Sequence, residues 1–512
     1  MAMMADRLDR ILAKAALESG DKPFLIDPDG SEISYGEVFD RACRFASMIR
    51  EAGIAPGERV LSLVDNSPEA IEFFIGCAVA GVVSVAINTH STSAEIAALM
   101  ADCNPVGVVT QPRFLERLSA LPEVASLRLR LLSRGEAQGW SGWEGMVSEA
   151  IPCAPDDSFL DTDPALMIYS SGTTGQPKGI LLSHRGIVLN AHATIEALGY
   201  QPGDRSLTLL PLFSSFGFAF DFVHVMILHN STVVLEKFDE VTALDCIEHR
   251  RVTFLAGVPT MFARLFSDDV IAGRDISSLR LIDVGGGPVS PRLKRMLGRD
   301  FGIAVVESYG LTEISPVASV QRHTGNPDSA SCGPPLPGFE VKVIGADGAE
   351  LPAGEAGELV FRSPTFMLGY WKRPEDTAKA LRDGWLYTGD VGAIDANGEI
   401  QILDRTKDMI VSNGFNVFPK EVENAIAELD GVRECAVVGI PDEIRGETIN
   451  AFIVPKTGAA IDPEKVIAHC RERLSRYKVP REVHLIDQMP LTASGKIRRY
   501  VLREYSQDIS RD

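Results

Sequence analysis

Residues 169–179 read Tyr-Ser-Ser-Gly-Thr-Thr-Gly-Gln-Pro-Lys-Gly, with an apolar run on either side at 165–168 and 180–182. The string holds three glycines, four hydroxyls at Ser170, Ser171, Thr173 and Thr174, and one lysine, Lys178. Glycines such as Gly172 and Gly175 let a backbone approach a polyphosphate, hydroxyls and amides donate to its oxygens, and the lysine supplies charge. A loop of this kind suits the terminal phosphates of ATP. Its order, Gly-x-x-Gly-x-x-Lys-Gly, differs from the Walker A order, and an apolar strand rather than a helix is expected to follow it.

Four more segments carry chemistry-bearing side chains. They are Tyr309-Gly310-Leu311-Thr312-Glu313, Tyr387-Thr388-Gly389-Asp390, Asp404-Arg405-Thr406-Lys407-Asp408 and Pro490-Leu491-Thr492-Ala493-Ser494-Gly495-Lys496. Taken singly each has a bland reading: a solvated loop carboxylate for Glu313, a turn or helix cap for Gly389-Asp390, a solvated lysine for Lys496. Gly285-Gly286-Gly287-Pro288 is explained almost as well by a simple turn.

In this order, and across nearly the whole chain, the five segments resemble the adenylate-forming superfamily of acyl-CoA synthetases, firefly luciferase and the adenylation domains of peptide synthetases. The acyl-CoA synthetases are the closest in appearance. The resemblance implies ATP-dependent activation of a carboxylic acid to an acyl adenylate, with release of pyrophosphate. Transfer to the thiol of coenzyme A then gives acyl-CoA and AMP. An alternative acceptor is the phosphopantetheine of an acyl carrier protein, loaded by a stand-alone adenylating enzyme.

The same resemblance assigns roles residue by residue. Ser170, Ser171, Gly172, Thr173, Thr174, Gly175 and Lys178 hold the phosphates, Thr312 reaches a phosphate, and Glu313 holds Mg²⁺, which requires a hard carboxylate oxygen. Tyr309 stacks on adenine, with Ser308 and Gly310 among the nucleotide contacts. Gly286, Gly287 and Pro288 line adenine and the acyl pocket, and Asp390 and Arg405 hold the ribose. Lys496 is the catalytic cation where the carboxylate meets the α-phosphate. Lys407 is the hinge about which a small domain rotates, and Gly414 and Phe415 belong to a tunnel for the pantetheine arm.

One position departs from the pattern. A histidine often follows Pro-Leu-Phe in the family, whereas residues 211–217 read Pro-Leu-Phe-Ser-Ser-Phe-Gly and place Ser214 there. The aromatic and aliphatic stretch 213–226, with 285–288, is expected to line an acyl pocket. Asp221 interrupts it, and is read as a helix cap or solvent-facing residue, or else as a partner for a substrate amine.

The positioning elements follow from periodicity. Leu8, Ile11, Leu12, Ala15 and Ala16 mark an amphipathic helix, and Thr92 with Glu95 has the form of a capping box. Strands at 60–64 and 83–87 alternate with helices at 67–80 and after Thr92, which predicts an α/β fold on a largely parallel sheet. Residues 133–145 lack periodicity and read as a surface excursion. From about Gly338 a β-rich subdomain is expected, with strands at 339–344, 358–361, 391–394 and 399–403 around Asp347-Gly348 and Asn397-Gly398 turns. Beyond Arg405 a compact α+β pattern begins: a helix from Pro419 with Val422, Ala425, Ile426 and Leu429 on one face, then strands at 433–440 and 449–454. The expected division is a large N-terminal domain, 1–405, and a small mobile C-terminal domain, 406–512.

At 512 residues the chain exceeds what one core supports, so more than one domain is expected. A formal charge of −20 disfavours a nucleic-acid surface. The eight cysteines form no C-x-x-C pair and read as reduced thiols, while His224 and His229 miss the helical metal spacing. The apolar run 73–87 is shorter than the ~20 residues of a spanning helix and reads as core. Residues 1–7 lack a secretory pattern. A cytoplasmic monomer or homodimer is expected, acting on small molecules.

Overall fold

The computed structural model describes residues 6–156, 158–169, 177–287, 291–322, 331–405, 408–412, 415–442, 445–456, 458–492 and 497–509. It divides into two compact units, Met1–Glu340 with Arg362–Leu386, and Val341–Phe361 with Tyr387–Asp512.

The first unit is built on two eight-stranded sheets. One runs Gly369–Tyr370, Gly179–Ser183, Pro164–Tyr169, Val83–Ala86, Arg59–Leu63, Gly107–Thr110, Leu129–Leu132 and Ser141–Gly142. The other runs Val317–Val320, Ala304–Gly310, Leu281–Gly285, Phe254–Gly257, Arg205–Leu207, Ser231–Val233, Pro23–Ile26 and Glu32–Ser34. Interior pairs in both are parallel, and antiparallel pairs fall toward the ends. That is the α/β class expected from alternating apolar strands and helices, since parallel strands are covered on both faces.

Between Ser67 and Gly81 the helix Pro68–Ala80 is buried at every residue, with Ser67 Oγ accepting the Ala70 amide at its start. A helix apolar around its whole circumference belongs in a protein core. Among the described residues no helix is long and apolar enough to cross a membrane. Thr92 forms the expected capping box with Glu95.

The expectation for 133–145 is corrected. Ser141–Gly142 joins a sheet edge, and Trp143–Glu149 is a helix whose Trp143 is fully buried. Trp143 Nε1 donates to Glu72 Oε2 at 3.2 Å, and Arg41 Nε lies 2.6 Å from Glu72 Oε1. Burial pushes the Glu72 carboxyl up to about 6, with Arg41 and Trp143 pulling the other way. The indole thus covers a polar site in the core.

In the second unit, Trp385–Ile394 pairs antiparallel with Ile400–Arg405 across the Asn397-Gly398 turn, and Gly357–Arg362 is a further strand of that sheet. The helix Pro419–Ala427 buries Val422, Ala425 and Ile426, as its spacing requires. It packs with the long hairpin Val432–Asp442 and Gly446–Pro455, to which Glu482–Leu485 adds in parallel. A large α/β body and a small α+β body are therefore both present. All eight cysteines are free thiols and six are buried.

Candidate active site

The phosphate-loop candidate joins two strands of one hairpin, with Tyr169 opposite Gly179 and Ile168 opposite Ile180. The return strand is apolar, as expected. Ser170, Ser171, Gly172, Thr173, Thr174 and Gly175 themselves lie outside the described residues. Lys178 lies just before the return strand. Its Nζ sits 2.9 Å from Asp376 Oδ2 and 5.0 Å from the centroid of the Tyr370 ring, a cation–π arrangement. The Lys178 ammonium holds the Asp376 carboxyl below the usual carboxylate range. Before the loop, Tyr169 Oη donates to Asp102 Oδ2 at 2.6 Å, which anchors the outgoing strand.

Tyr370 links this lysine to the acidic candidate. Its Oη donates to Glu313 Oε1 at 2.8 Å, and Gly369–Tyr370 pairs with the return strand at Leu181 and Ile180. Glu313 Oε2 carries no protein hydrogen bond among the described residues. The short helical turn Thr312–Ile314 that carries Glu313 is held from three sides. Asn190 Nδ2 donates to the Ile314 and Val317 carbonyls at 2.9 and 2.8 Å, Thr365 Oγ1 donates to the Ile314 carbonyl, and Met367 N donates to the Glu313 carbonyl. Ser315, next in the chain, takes the left-handed region at φ 74 and donates its hydroxyl to the Thr365 carbonyl. A Cβ at Gly310 would meet the Pro316 carbonyl oxygen at 2.0 Å, so only glycine fits where this turn folds back.

Tyr370, Asn190, Thr365 and Asp376 were not singled out in the sequence. All four act through partners more than fifty positions away, and no local pattern marks such contacts. An Asp376→Ala variant frees the lysine for an incoming triphosphate. A partly exposed ion pair of this kind is weak, so KM for ATP should fall only about two- to fivefold with little change in kcat. Steady-state kinetics at saturating acid checks this; an increased KM would mean that Asp376 positions the lysine.

Ser308 and Tyr309 lie on the strand Ala304–Gly310, with Ser308 directly opposite Gly285 in the register. Ser308 Oγ donates to Asp283 Oδ2 at 3.0 Å, while Asp283 Oδ1 has no partner among the described residues. Burial pushes the Asp283 carboxyl up to about 7, further raised by Glu307 and partly offset by Ser308. The protonated carboxyl is therefore the form the fold prefers. Its contribution is fully present below about pH 4, and is lost as pH rises through about 7 because the unfolded chain releases the proton first. Asp283→Asn should flatten the decline in stability between these limits, which amounts to on the order of 4 kcal/mol for the wild type. Denaturant titrations across that range check it; an unchanged slope would contradict the assignment.

Gly286 has φ 76, a left-handed conformation that favours glycine, and Gly287 follows it; Pro288 lies outside the described residues. Gly285 faces the Phe216 ring, whose nearest carbon would be 2.7 Å from an added Cβ. Phe216, in the segment expected to line the acyl pocket, therefore packs against Gly285. Ser214 caps its helix, accepting the Gly217 amide at 3.1 Å, and Ser215 Oγ lies 2.9 Å from Thr312 Oγ1. At Asp221 the solvent-facing reading is corrected. Asp221 is fully buried in a π-helical turn, Ala219–Val223, with no side-chain partner among the described residues and only the Leu210 backbone beside it.

In the second unit the register places Asp390 directly opposite Arg405, and the Asp390 amide donates to Thr388 Oγ1 at 3.1 Å. Asp390 is buried. Phe415 opens the strand Phe415–Val417. Lys407, Gly414 and Lys496 lie outside the described residues.

Two family models match the sequence, "AMP-binding enzyme" over residues 12–371 and "AMP-binding enzyme C-terminal domain" over 421–496. A feruloyl-CoA synthase from Amycolatopsis sp is 36% identical over 476 residues, covering 93% of this chain and 94% of its own. ATP-bound MatB from Rhodopseudomonas palustris superposes with a TM-score of 0.88 at 30% identity, covering 99% of this chain and 100% of its own. The anthranilate CoA ligase AuaEII, in complex with anthranoyl-AMP, superposes with a TM-score of 0.92 at 28% identity, covering 99% and 98%.

Proposed function

This chain belongs to the AMP-binding enzyme family and is an AMP-forming acid–thiol ligase that uses ATP and coenzyme A, and from that premise we propose which residues perform each step. A free carboxylate is a poor acyl donor, because it is anionic and has no good leaving group. Attack of its oxygen on the α-phosphorus forms a mixed anhydride and expels pyrophosphate; the coenzyme A thiolate then attacks the acyl carbon and expels AMP. Positioning and charge neutralisation supply most of the rate in such chemistry, so no covalent enzyme nucleophile is needed.

Lys178 and the 170–175 loop bind the outer phosphates, and Thr312 reaches one of them. The observation that carries this reading is the chain of contacts Lys178–Tyr370–Glu313, which places a cation and a carboxylate on one tyrosine beside the hairpin tip. Glu313 Oε1 is fixed by Tyr370 while Oε2 stays available, and one carboxylate oxygen joined by phosphate oxygens is a donor set that fits Mg²⁺. Such an ion would neutralise the phosphates. Tyr309, Ser308 and Gly310 with Gly286, Gly287 and Pro288 surround the adenine. Asp390 accepts from the ribose hydroxyls, with Arg405 opposite. Lys496 neutralises the meeting of carboxylate and α-phosphate.

The functional division at 405/406 assigns Lys496 and the Gly414–Phe415 tunnel to a small domain that turns about Lys407 between the two half-reactions. An aromatic or aliphatic acid is the proposed substrate, supported by the apolar segment around Phe216 and by the acids named for the relatives. The enzyme acts in the cytoplasm as a monomer or homodimer, consistent with its free buried thiols. The test is incubation of an acid panel with ATP, Mg²⁺ and free coenzyme A. Thioester formation supports this assignment, whereas pyrophosphate exchange without thioester would move the acceptor to a carrier protein.

A further inference from the structure

The helix segment that begins beside Thr312 runs inward to a polar group of side chains that the reaction does not use. Phe216 lies against Gly285, Phe220 meets Phe216 edge-on at 4.7 Å between centroids, and His224 meets Phe220 at 4.6 Å. These three residues follow one another at successive turns. Beyond Phe220, Tyr200 stacks on Phe254 at 4.3 Å and approaches His224 at 6.3 Å. Ser206 is the register neighbour of both Phe254 and Thr232, so these three share one sheet face.

Each polar residue of this group is fully or almost fully buried. Both ring nitrogens of His224 and Thr232 Oγ1 lack a hydrogen-bond partner among the described residues, while Tyr200 has only Ser206, and Asp221 only the Leu210 backbone, close by. Leaving such groups unpaired in a protein core is costly, so a cluster of them points to a polar ligand group. Burial pushes the Asp221 carboxyl well above the usual range and the His224 imidazole down to about 3, so the fold favours the uncharged form of each. A neutral set of donors and acceptors suits a hydroxyl better than an ion. Asp221 lies in the π-helical turn Ala219–Val223, near enough to Tyr200 for its charge to act on that phenol, and π turns interrupt helices frequently at functional sites.

We propose that Asp221, His224, Tyr200, Ser206 and Thr232 form the distal end of the acyl pocket and select carboxylic acids that carry a hydroxyl group remote from the carboxylate. The inference rests on the ligase reading and narrows its substrate class. Phe216 and Phe220 form the apolar stretch along which the acid lies, and the hydroxyl exchanges hydrogen bonds with Asp221 and His224 at its end.

The test compares pyrophosphate exchange on two matched pairs, para-hydroxycinnamic against cinnamic acid, and omega-hydroxylauric against lauric acid. At least one hydroxylated acid should exceed its partner in kcat/KM by ~100-fold, the discrimination open to a site whose buried polar groups are otherwise left unpaired. The pair that shows it tells an aromatic from an aliphatic substrate. Asp221→Leu should reduce that ratio to near one, and Asp221→Asn, which keeps the hydrogen-bonding capacity, should restore most of it. If Asp221→Leu does not fold, Ser206→Ala serves instead, with a several-fold fall in the ratio expected. Equal rates within both pairs for the wild type, or a ratio unmoved by these variants, would overturn the inference while leaving the ligase reading intact. Absence of exchange with all four acids would count against the ligase reading itself.

Discussion

Lys496→Ala should cut acyl-adenylate formation by about two orders of magnitude or more while leaving ATP binding almost unchanged. The substrate carboxylate and the α-phosphate are both anions, and they must approach within bonding distance. A preorganised cation at that point is worth most in the transition state, where the new oxygen–phosphorus bond concentrates negative charge. Ground-state affinity depends on other groups, among them Lys178 and the 170–175 loop, so KM for ATP should change little. Thioester formation from preformed acyl adenylate should also change little, because AMP leaves without that anion–anion encounter. Single-turnover measurements of each half-reaction separate the two; equal losses in both would show that Lys496 supports the fold rather than the first step.

Glu313→Gln carries the second large effect. The amide keeps the size of the side chain and can still meet the Tyr370 hydroxyl, so the turn at Thr312–Ile314 should survive. The negative charge is lost, and with it the hard oxygen donor that Mg²⁺ requires. We expect kcat/KM for ATP to fall by roughly 100-fold, equivalent to about 3 kcal/mol of transition-state stabilisation, with half-saturation by Mg²⁺ moved to higher concentration. Tyr370→Phe leaves the carboxylate in place but unfixed on Oε1, and should cost about tenfold or less, the scale of one hydrogen bond to a charged group. Titration of activity against Mg²⁺ is the decisive readout. An unchanged Mg²⁺ dependence in Glu313→Gln would remove that residue from the metal site.

Features set by neighbours in sequence were legible before any coordinates. The capping box at Thr92 and Glu95, the Asn397-Gly398 turn and the apolar face of Pro419–Ala427 are each decided within four or five residues, and each appears where its pattern lies. The apolar strand that follows the phosphate string was also readable, from the short run at 180–182. Trp143 was not. Its burial depends on Glu72 and Arg41, contributed by two distant helices, and nothing within 133–145 announces them. The fixing of Glu313 has the same character, since Asn190, Thr365 and Tyr370 reach it from separate elements. Asp221 misled as well. Every residue from Gly217 to Met226 is buried, so the segment offers no solvent face to a carboxylate, and no pattern within it announces that.

The central claim, that an acyl adenylate lies between acid and thioester, is tested most directly by following a heavy-oxygen label placed in both carboxylate oxygens of an accepted acid. Attack of the carboxylate on the α-phosphorus leaves one labelled oxygen on AMP for every acyl-CoA formed. Mass spectrometry of the nucleotide should therefore show AMP carrying a single label, in equal amount to the thioester, with unlabelled pyrophosphate. Label recovered in inorganic phosphate, with ADP as the nucleotide product, would instead mean an acyl phosphate intermediate and would contradict the assignment.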